Sequence, residues 1–202
     1  MGKYSDYVLI SDMDGTLLNS KREVSQENRE ALRRFSVGGG YFCVATGRTP
    51  EDTRKFLQGI EINTSCVFFN GAMLYDYRQD KITKAVTLQG QKWRDFAAFV
   101  VENFPDLCTQ VFTAEVCYEF VDKEASKGHM LKYLRQLPEN RGRKIIAQGN
   151  FGNDTFMLQM ADTGVASGNA HEDIKAAADI VGVTCDEHLA AYVIGLIDRG
   201  EI

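Results

Sequence analysis

The sequence predicts an α/β protein: a Rossmann-like parallel sheet with helices on both faces, carrying a small inserted α+β cap. Three observations predict it. Short apolar runs alternate with helical patterns along most of the chain, which is the signature of parallel strands joined by crossover helices. The first apolar run, Tyr7 to Ser11, ends in Asp12-Met13-Asp14-Gly15-Thr16, so a strand delivers carboxylates to the lip of a sheet. The alternation breaks once, from about Met73 to Asp122.

The strands are expected at Tyr7 to Ser11, Tyr41 to Ala45, Cys66 to Phe69 and Lys144 to Gln148, with a weaker run at Gly164 to Ala166 and a last one at Asp179 to Val183. Helical patterns cover Ser25 to Phe35, Pro50 to Leu57, Gly128 to Leu137, Asn153 to Met160, Ala170 to Ala178 and Glu187 to Arg199. Ser25 is a natural N-cap, because its hydroxyl can accept from a free backbone N–H of the first turn. Gly38-Gly39-Gly40 suits a helix end and a tight return to the next strand.

The interruption contains strand-like runs at Ala72 to Tyr75 and Ile82 to Leu88. A helix follows, with Trp93, Phe96, Ala97, Val100, Val101 and Phe104 on one apolar face, and then runs at Leu107 to Phe112 and Val116 to Val121. The expected organisation is therefore a core of residues 1–71 and 123–202 with a cap of residues 72–122. Tyr75, Tyr77, Trp93 and Tyr118 are read as packing within that cap.

Bulk properties narrow the function. The chain has 202 residues, 44% of them hydrophobic, enough for one domain with an insert. Its 23 Lys and Arg against 28 Asp and Glu give a net charge of −5, so there is no basic surplus for a nucleic-acid backbone. The five cysteines form no C-x-x-C pair, and no signal peptide is recognisable, so a cytoplasmic protein with reduced thiols is expected. The three histidines lack ligand spacing for zinc. No apolar run approaches the roughly 20 residues needed to span a bilayer. The sequence is silent on oligomeric state.

Ligands of open α/β sheets bind outside the carboxyl ends of the strands. Four segments fall there. In the first, Gly15 permits the sharp turn that brings Asp14 back beside Asp12. Two acids at that spot can do covalent and acid–base chemistry on one substrate atom, provided a cation or proton relieves their repulsion. In the second, Val44-Ala45-Thr46-Gly47-Arg48, a hydroxyl and free N–H groups can face a phosphate oxygen, although Thr-Gly is also an ordinary turn. The third, Ser126-Lys127-Gly128, opens a helix with a cation that the helix dipole disfavours. A lone Lys is usually solvated surface, but one set beside two acids would hold a phosphate and offset carboxylate repulsion. The fourth, Gly149-Asn150-Phe151-Gly152-Asn153-Asp154, supplies oxygens of the kind Mg²⁺ prefers, and would otherwise be a Gly/Asn loop leading into a helix.

In order and spacing these segments resemble the four motifs of the haloacid dehalogenase-like phosphatases. Asp-Met-Asp-Gly-Thr-Leu-Leu, Ala-Thr-Gly-Arg, Asn70-Gly71-Ala72, Ser-Lys-Gly, Asn153-Asp154 and Gly164-Val165-Ala166…Asn169-Ala170 are similar to the Cof-type branch, whose cap lies between motifs II and III. The resemblance covers about residues 6–71 and 124–195 and leaves the cap out. It implies a Mg²⁺-dependent phosphomonoester hydrolase for a small phosphorylated metabolite such as a sugar phosphate. Asp12 would be the nucleophile that becomes an aspartyl phosphate, and Asp14 the acid–base residue. Thr46 and Lys127 would bind the transferring phosphoryl group. Gly47, Arg48, Asn70, Asn153 and Asn169 would line the substrate side. Mg²⁺ would be held by the Asp12 carboxylate, the Asp14 carbonyl, Asn150 and Asp154.

Two departures stand out. The family's fourth motif is Gly-Asp-x-x-Asn-Asp, and here Asn150 replaces its first acid. An Asn carbonyl can still ligate Mg²⁺, but one negative charge is gone and metal affinity should fall. The cap is also short for the branch. These departures keep a second class open, a phospho-ligand binding protein with weakened catalysis. A phosphosugar mutase ranks below both, since no residue is assignable to holding an intermediate while it reorients.

Overall fold

A computed structural model describes residues 2–87, 91–103 and 124–202. Its centre is a five-stranded sheet in the order β2-β1-β6-β7-β8, with every neighbouring pair parallel. The strands are β1 (Tyr7–Ser11), β2 (Tyr41–Val44), β6 (Lys144–Gly149), β7 (Thr163–Ala166) and β8 (Ile180–Val181). Val8, Leu9 and Ile10 are consecutive and fully buried. A strand buried on alternate residues shows one side to the core; one buried at every residue is covered on both. The covers are two helix pairs. Helix α1 (Gln26–Val37) packs along α7 (Leu189–Asp198), and α4 (Lys127–Leu134) packs along α5 (Thr155–Met160).

The caps follow the sequence. Ser25 Oγ accepts from the Asn28 N–H at 3.2 Å. Thr49 does the same for Asp52 at the start of α2 (Pro50–Arg54), where Pro50 occupies the first turn. That helix stops short of Leu57, because the Phe56 N–H turns back to the Thr53 carbonyl and ends the α-pattern. Helix α6 (Glu172–Ala177) is likewise shorter than its sequence pattern. Strand β8 keeps only two residues of the expected five. The Asp179 carboxylate before it takes the Gly164 N–H, and the edge strand runs out after Val181, which is half exposed.

A second sheet, β3-β4-β5, is antiparallel. Strand β3 (Cys66–Phe68) touches the core through an Ala45–Val67 bridge. Strands β4 (Met73–Asp76) and β5 (Lys81–Ala85) form a hairpin on it. Residue 72, the expected start of the cap, lies in the turn just before β4. Tyr75 and Tyr77 pack edge-on against Phe68 at centroid distances of 6.2 and 5.9 Å. Helix α3 (Gln91–Asn103) forms where the apolar period places it, with Phe96 exposed. The runs at 107–112 and 116–121, with Phe104 and Tyr118, lie outside the described residues. Among the described residues no helix is long and apolar enough to cross a membrane.

The order of the sheet positions the site. From β1 the chain goes to β2 on one side, and later returns to β6 on the other. The carboxyl end of β1 is thus flanked by two loops that diverge, which opens a crevice there.

Candidate active site

At that end the side chains of four segments meet. Asp12 follows β1 directly, 7% exposed, with its backbone N–H held by the Gln148 carbonyl of β6. Lys127 is 1% exposed, and its ammonium donates to Asp12 Oδ1 and Asp154 Oδ1, both at 2.6 Å. The usual fate of a lysine, solvated surface, does not apply here: Lys127 opens α4 against the dipole and is held by two carboxylates. Burial alone would push its pKa down, but Asp12 and Asp154 hold it above the ordinary lysine value. Burial pushes the Asp12 carboxyl up to about 6, even though Lys127 pulls against the shift.

Asp154 is fully buried. Its second oxygen accepts from the N–H groups of Asn150 and Phe151, at 2.9 and 3.0 Å. Through these bonds Asp154 fixes the loop after β6 and the position of Lys127. Gly149 makes this possible, since a Cβ there would lie 2.6 Å from Asp154 Cβ and Cγ.

Asp14 is half exposed and faces the crevice. Arg48 grips it with two parallel bonds, Nε to Oδ2 and Nη2 to Oδ1, each 2.7 Å. The Arg48 guanidinium also lies over the Phe56 ring at 4.9 Å. Thr46 is buried at the end of β2; its carbonyl accepts from the Asn70 N–H and its hydroxyl from the Arg48 N–H. Asn153 Nδ2 donates to Asn70 Oδ1 at 2.8 Å across the opening. The crevice has a volume of about 360 Å³, and Asp12, Asp14, Thr46, Gly47, Arg48, Asn70, Asn150, Phe151 and Asn153 line it.

Lys127 and Asp154 are buried behind Asp12, not on the crevice wall, with Lys127 set beside two acids. Asn169 is on neither: its Nδ2 donates to the Gly15 carbonyl at 2.9 Å and its Oδ1 accepts from Ser167 and Cys185, so it braces the turn that carries Asp14. Phe151, 61% exposed on the crevice wall, is a site residue that the sequence reading misses; its only signal is an aromatic between Asn150 and Gly152 in a loop. Gly71 is a second. It has φ +112°, and a Cβ there would lie 2.2 Å from the Ser126 carbonyl carbon, so it lets the Asn70 turn approach the start of α4.

Oxygens suited to a hard cation converge beside Asp12. The amide atom of Asn150 that faces inward lies 3.2 Å from Asp12 Oδ2 and 3.0 Å from both the Asp14 carbonyl and Thr16 Oγ1. Mg²⁺ ligands at 2.0–2.1 Å in octahedral array sit about 3 Å from their neighbours. The Asn150 amide thus stands from the Asp12 carboxylate and the Asp14 carbonyl at the distance that separates neighbouring ligands of such a cation. Among the described residues no three of His, Cys, Asp and Glu come together as a metal cluster.

The sequence matches the profile of the haloacid dehalogenase-like hydrolases at residues 9–118 and 89–194. The chain belongs to the haloacid dehalogenase-like hydrolase family. Pyridoxal phosphate phosphatase YbhA of Escherichia coli is 33% identical, with 92% of this chain and 97% of that protein covered. Phosphatase YwpJ of Bacillus subtilis is 26% identical over 93% of this chain and 98% of its own length. The alignment with YbhA runs over 265 positions against 202 residues here, so that relative carries segments this haloacid dehalogenase-like chain lacks. Solved structures agree on the fold. A haloalkanoate-superfamily phosphatase, BT1666 of Bacteroides thetaiotaomicron, superposes with a TM-score of 0.77 at 22% identity, covering 97% and 96% of the two chains. A haloacid dehalogenase-like hydrolase from B. subtilis gives 0.76 at 24% identity, covering 93% and 98%.

Proposed function

We propose that this haloacid dehalogenase-family phosphatase hydrolyses a small phosphomonoester, such as a sugar phosphate, through an aspartyl phosphate on Asp12. The observation that carries the reading is Lys127: a buried cation bonded to the buried carboxylate that opens onto the crevice. That pairing keeps Asp12 oriented and places positive charge beside a phosphoryl group bound to it.

The Asp12 carboxylate attacks phosphorus, and an Asp–O–P bond forms as the bond to the leaving oxygen breaks. Asp14 serves as the acid–base residue that hands a proton to the departing alkoxide. Asp14 then takes a proton from water, the water oxygen attacks phosphorus, and phosphate leaves with the Asp12 carboxylate restored. The Thr46 hydroxyl and the Gly47 N–H would meet phosphoryl oxygens. Arg48 sets the position of Asp14 between these steps. A Mg²⁺ ion held by Asp12, the Asp14 carbonyl and Asn150 would neutralise charge on the phosphoryl oxygens. Asp154 would support that set from behind through Lys127 and the loop N–H groups.

The small crevice favours a compact substrate. The test is a panel of phosphorylated metabolites assayed for released phosphate with Mg²⁺ and with EDTA. Turnover of one or more members, abolished by EDTA, supports the reading. A second reading, binding of a phospho-ligand without turnover, is favoured by Asn150, which leaves the cation one anionic ligand fewer; it would show as tight ligand binding with no phosphate released. Cysteines 43, 66 and 185 are free and buried, which supports a reducing, cytoplasmic setting.

A further inference from the structure

The surroundings of the Asn150 side chain decide which end of its amide points inward. The inward atom meets Asp12 Oδ2, the Asp14 carbonyl oxygen and Thr16 Oγ1 at 3.2, 3.0 and 3.0 Å. The first two can only accept hydrogen bonds; the Thr16 hydroxyl can donate or accept. The outward atom faces only donors. A half-turn of the amide exchanges oxygen and nitrogen without moving anything else.

The two orientations have opposite chemistry. With oxygen inward, Asn150 accepts from the Thr16 hydroxyl at 3.0 Å, and three oxygens crowd together around one point. That arrangement repels itself unless a cation sits among them. With nitrogen inward, the NH₂ donates to the carboxylate and carbonyl that would otherwise ligate the cation, and the outward oxygen accepts from the donors around it. Gly15 makes room for the outward atom: a Cβ there would lie 2.6 Å from it.

We propose that Asn150 is a cation-coupled amide switch: nitrogen inward, substituting for the cation, when Mg²⁺ is absent, and oxygen inward, ligating, when it is bound. This rests on the reading that the crevice takes Mg²⁺, and it explains what the amide does that a carboxylate could not. An Asp at 150 has no hydrogen to offer Asp12, so the metal-free site would hold two facing carboxylates. The amide gives the chain a stable metal-free state, at the expense of affinity for the cation.

Thermal unfolding of the wild type and Asn150→Asp, in EDTA and in Mg²⁺, tests it, together with calorimetric Mg²⁺ titration. The Asp variant should melt lower in EDTA by roughly 2–4 °C, the shift that about 1 kcal/mol produces in a chain of this size. It should also bind Mg²⁺ about tenfold more tightly. A variant that melts at or above the wild type in EDTA overturns the proposal. Should Asn150→Asp fail to fold, NMR of the wild type decides. The two Asn150 side-chain NH protons should shift on Mg²⁺ addition, as the nitrogen leaves its acceptors, and signals unmoved by millimolar Mg²⁺ overturn the switch. Failure of the phosphatase reading would look different: the switch operates and no substrate is turned over.

Discussion

Arg48 holds Asp14 by both carboxylate oxygens at 2.7 Å, and the pair stands at the crevice with Asp14 half exposed. Exposed pairs contribute about 0–1 kcal/mol to stability, so the grip matters for position more than for folding. Arg48→Ala should lower the melting temperature by no more than about 2–4 °C. It should lower kcat by about tenfold to a hundredfold, part of what a well-placed acid–base residue supplies. Parallel calorimetry and steady-state assays check both halves; an unchanged kcat would remove Arg48 from the site.

Lys127 behaves in the opposite way. It is buried with two carboxylates, so Lys127→Met leaves Asp12 and Asp154 without their cation. Breaking such a cluster from one side costs about 3–5 kcal/mol. Urea unfolding should register that loss at neutral pH, and activity should vanish with it. A double change, Lys127→Met with Asp154→Asn, should recover part of the stability and none of the activity.

Gly71 carries a backbone test. Its φ is +112°, and a Cβ at this position would come within 2.2 Å of Ser126, which leaves no room for a side chain. Gly71→Ala should destabilise by about 1–3 kcal/mol or more, since the strained backbone and the clash add. It should also raise KM, because the Asn70 turn moves away from the crevice. Denaturant titration and kinetics on the same preparation check this.

The pH dependence follows from Asp12, whose carboxyl burial lifts from 3.8 to about 6. Between those values the folded chain binds a proton that the unfolded chain has released. The stabilising contribution of this group is therefore complete below about 3.8 and lost as the pH rises to about 6. Activity runs the other way, since only the ionised carboxylate attacks phosphorus. At subsaturating Mg²⁺, kcat/KM should climb about tenfold per pH unit up to about 6 and then level. A profile flat from pH 5 to 7 would show that Asp12 is ionised throughout.

What the sequence makes legible is the part set by local chemistry. The bounds of β1 and the turn at Asp12 to Thr16 follow from an apolar run stopped by Asp and Gly. Ser25 as a cap follows from its hydroxyl. What it does not make legible depends on distant partners. Nothing beside Asn169 in the chain announces that its amide reaches back to Gly15. Asp154 stands in a loop of cation-friendly oxygens, but that its hydrogen bonds go to Lys127 and two loop N–H groups is visible only in the fold. The alternation breaks at the β4–β5 hairpin, but that the hairpin pairs with β3 is visible only in the fold. Gly71 matters only through its closeness to Ser126, a contact between segments 55 residues apart in sequence.

The most direct measurement compares phosphate release from an aryl phosphate, in Mg²⁺, by the wild type and by Asp12→Asn. The account predicts turnover by the wild type and its loss, by at least about a thousandfold, in the variant, since an amide cannot form the covalent intermediate. Equal rates from the two proteins would contradict it.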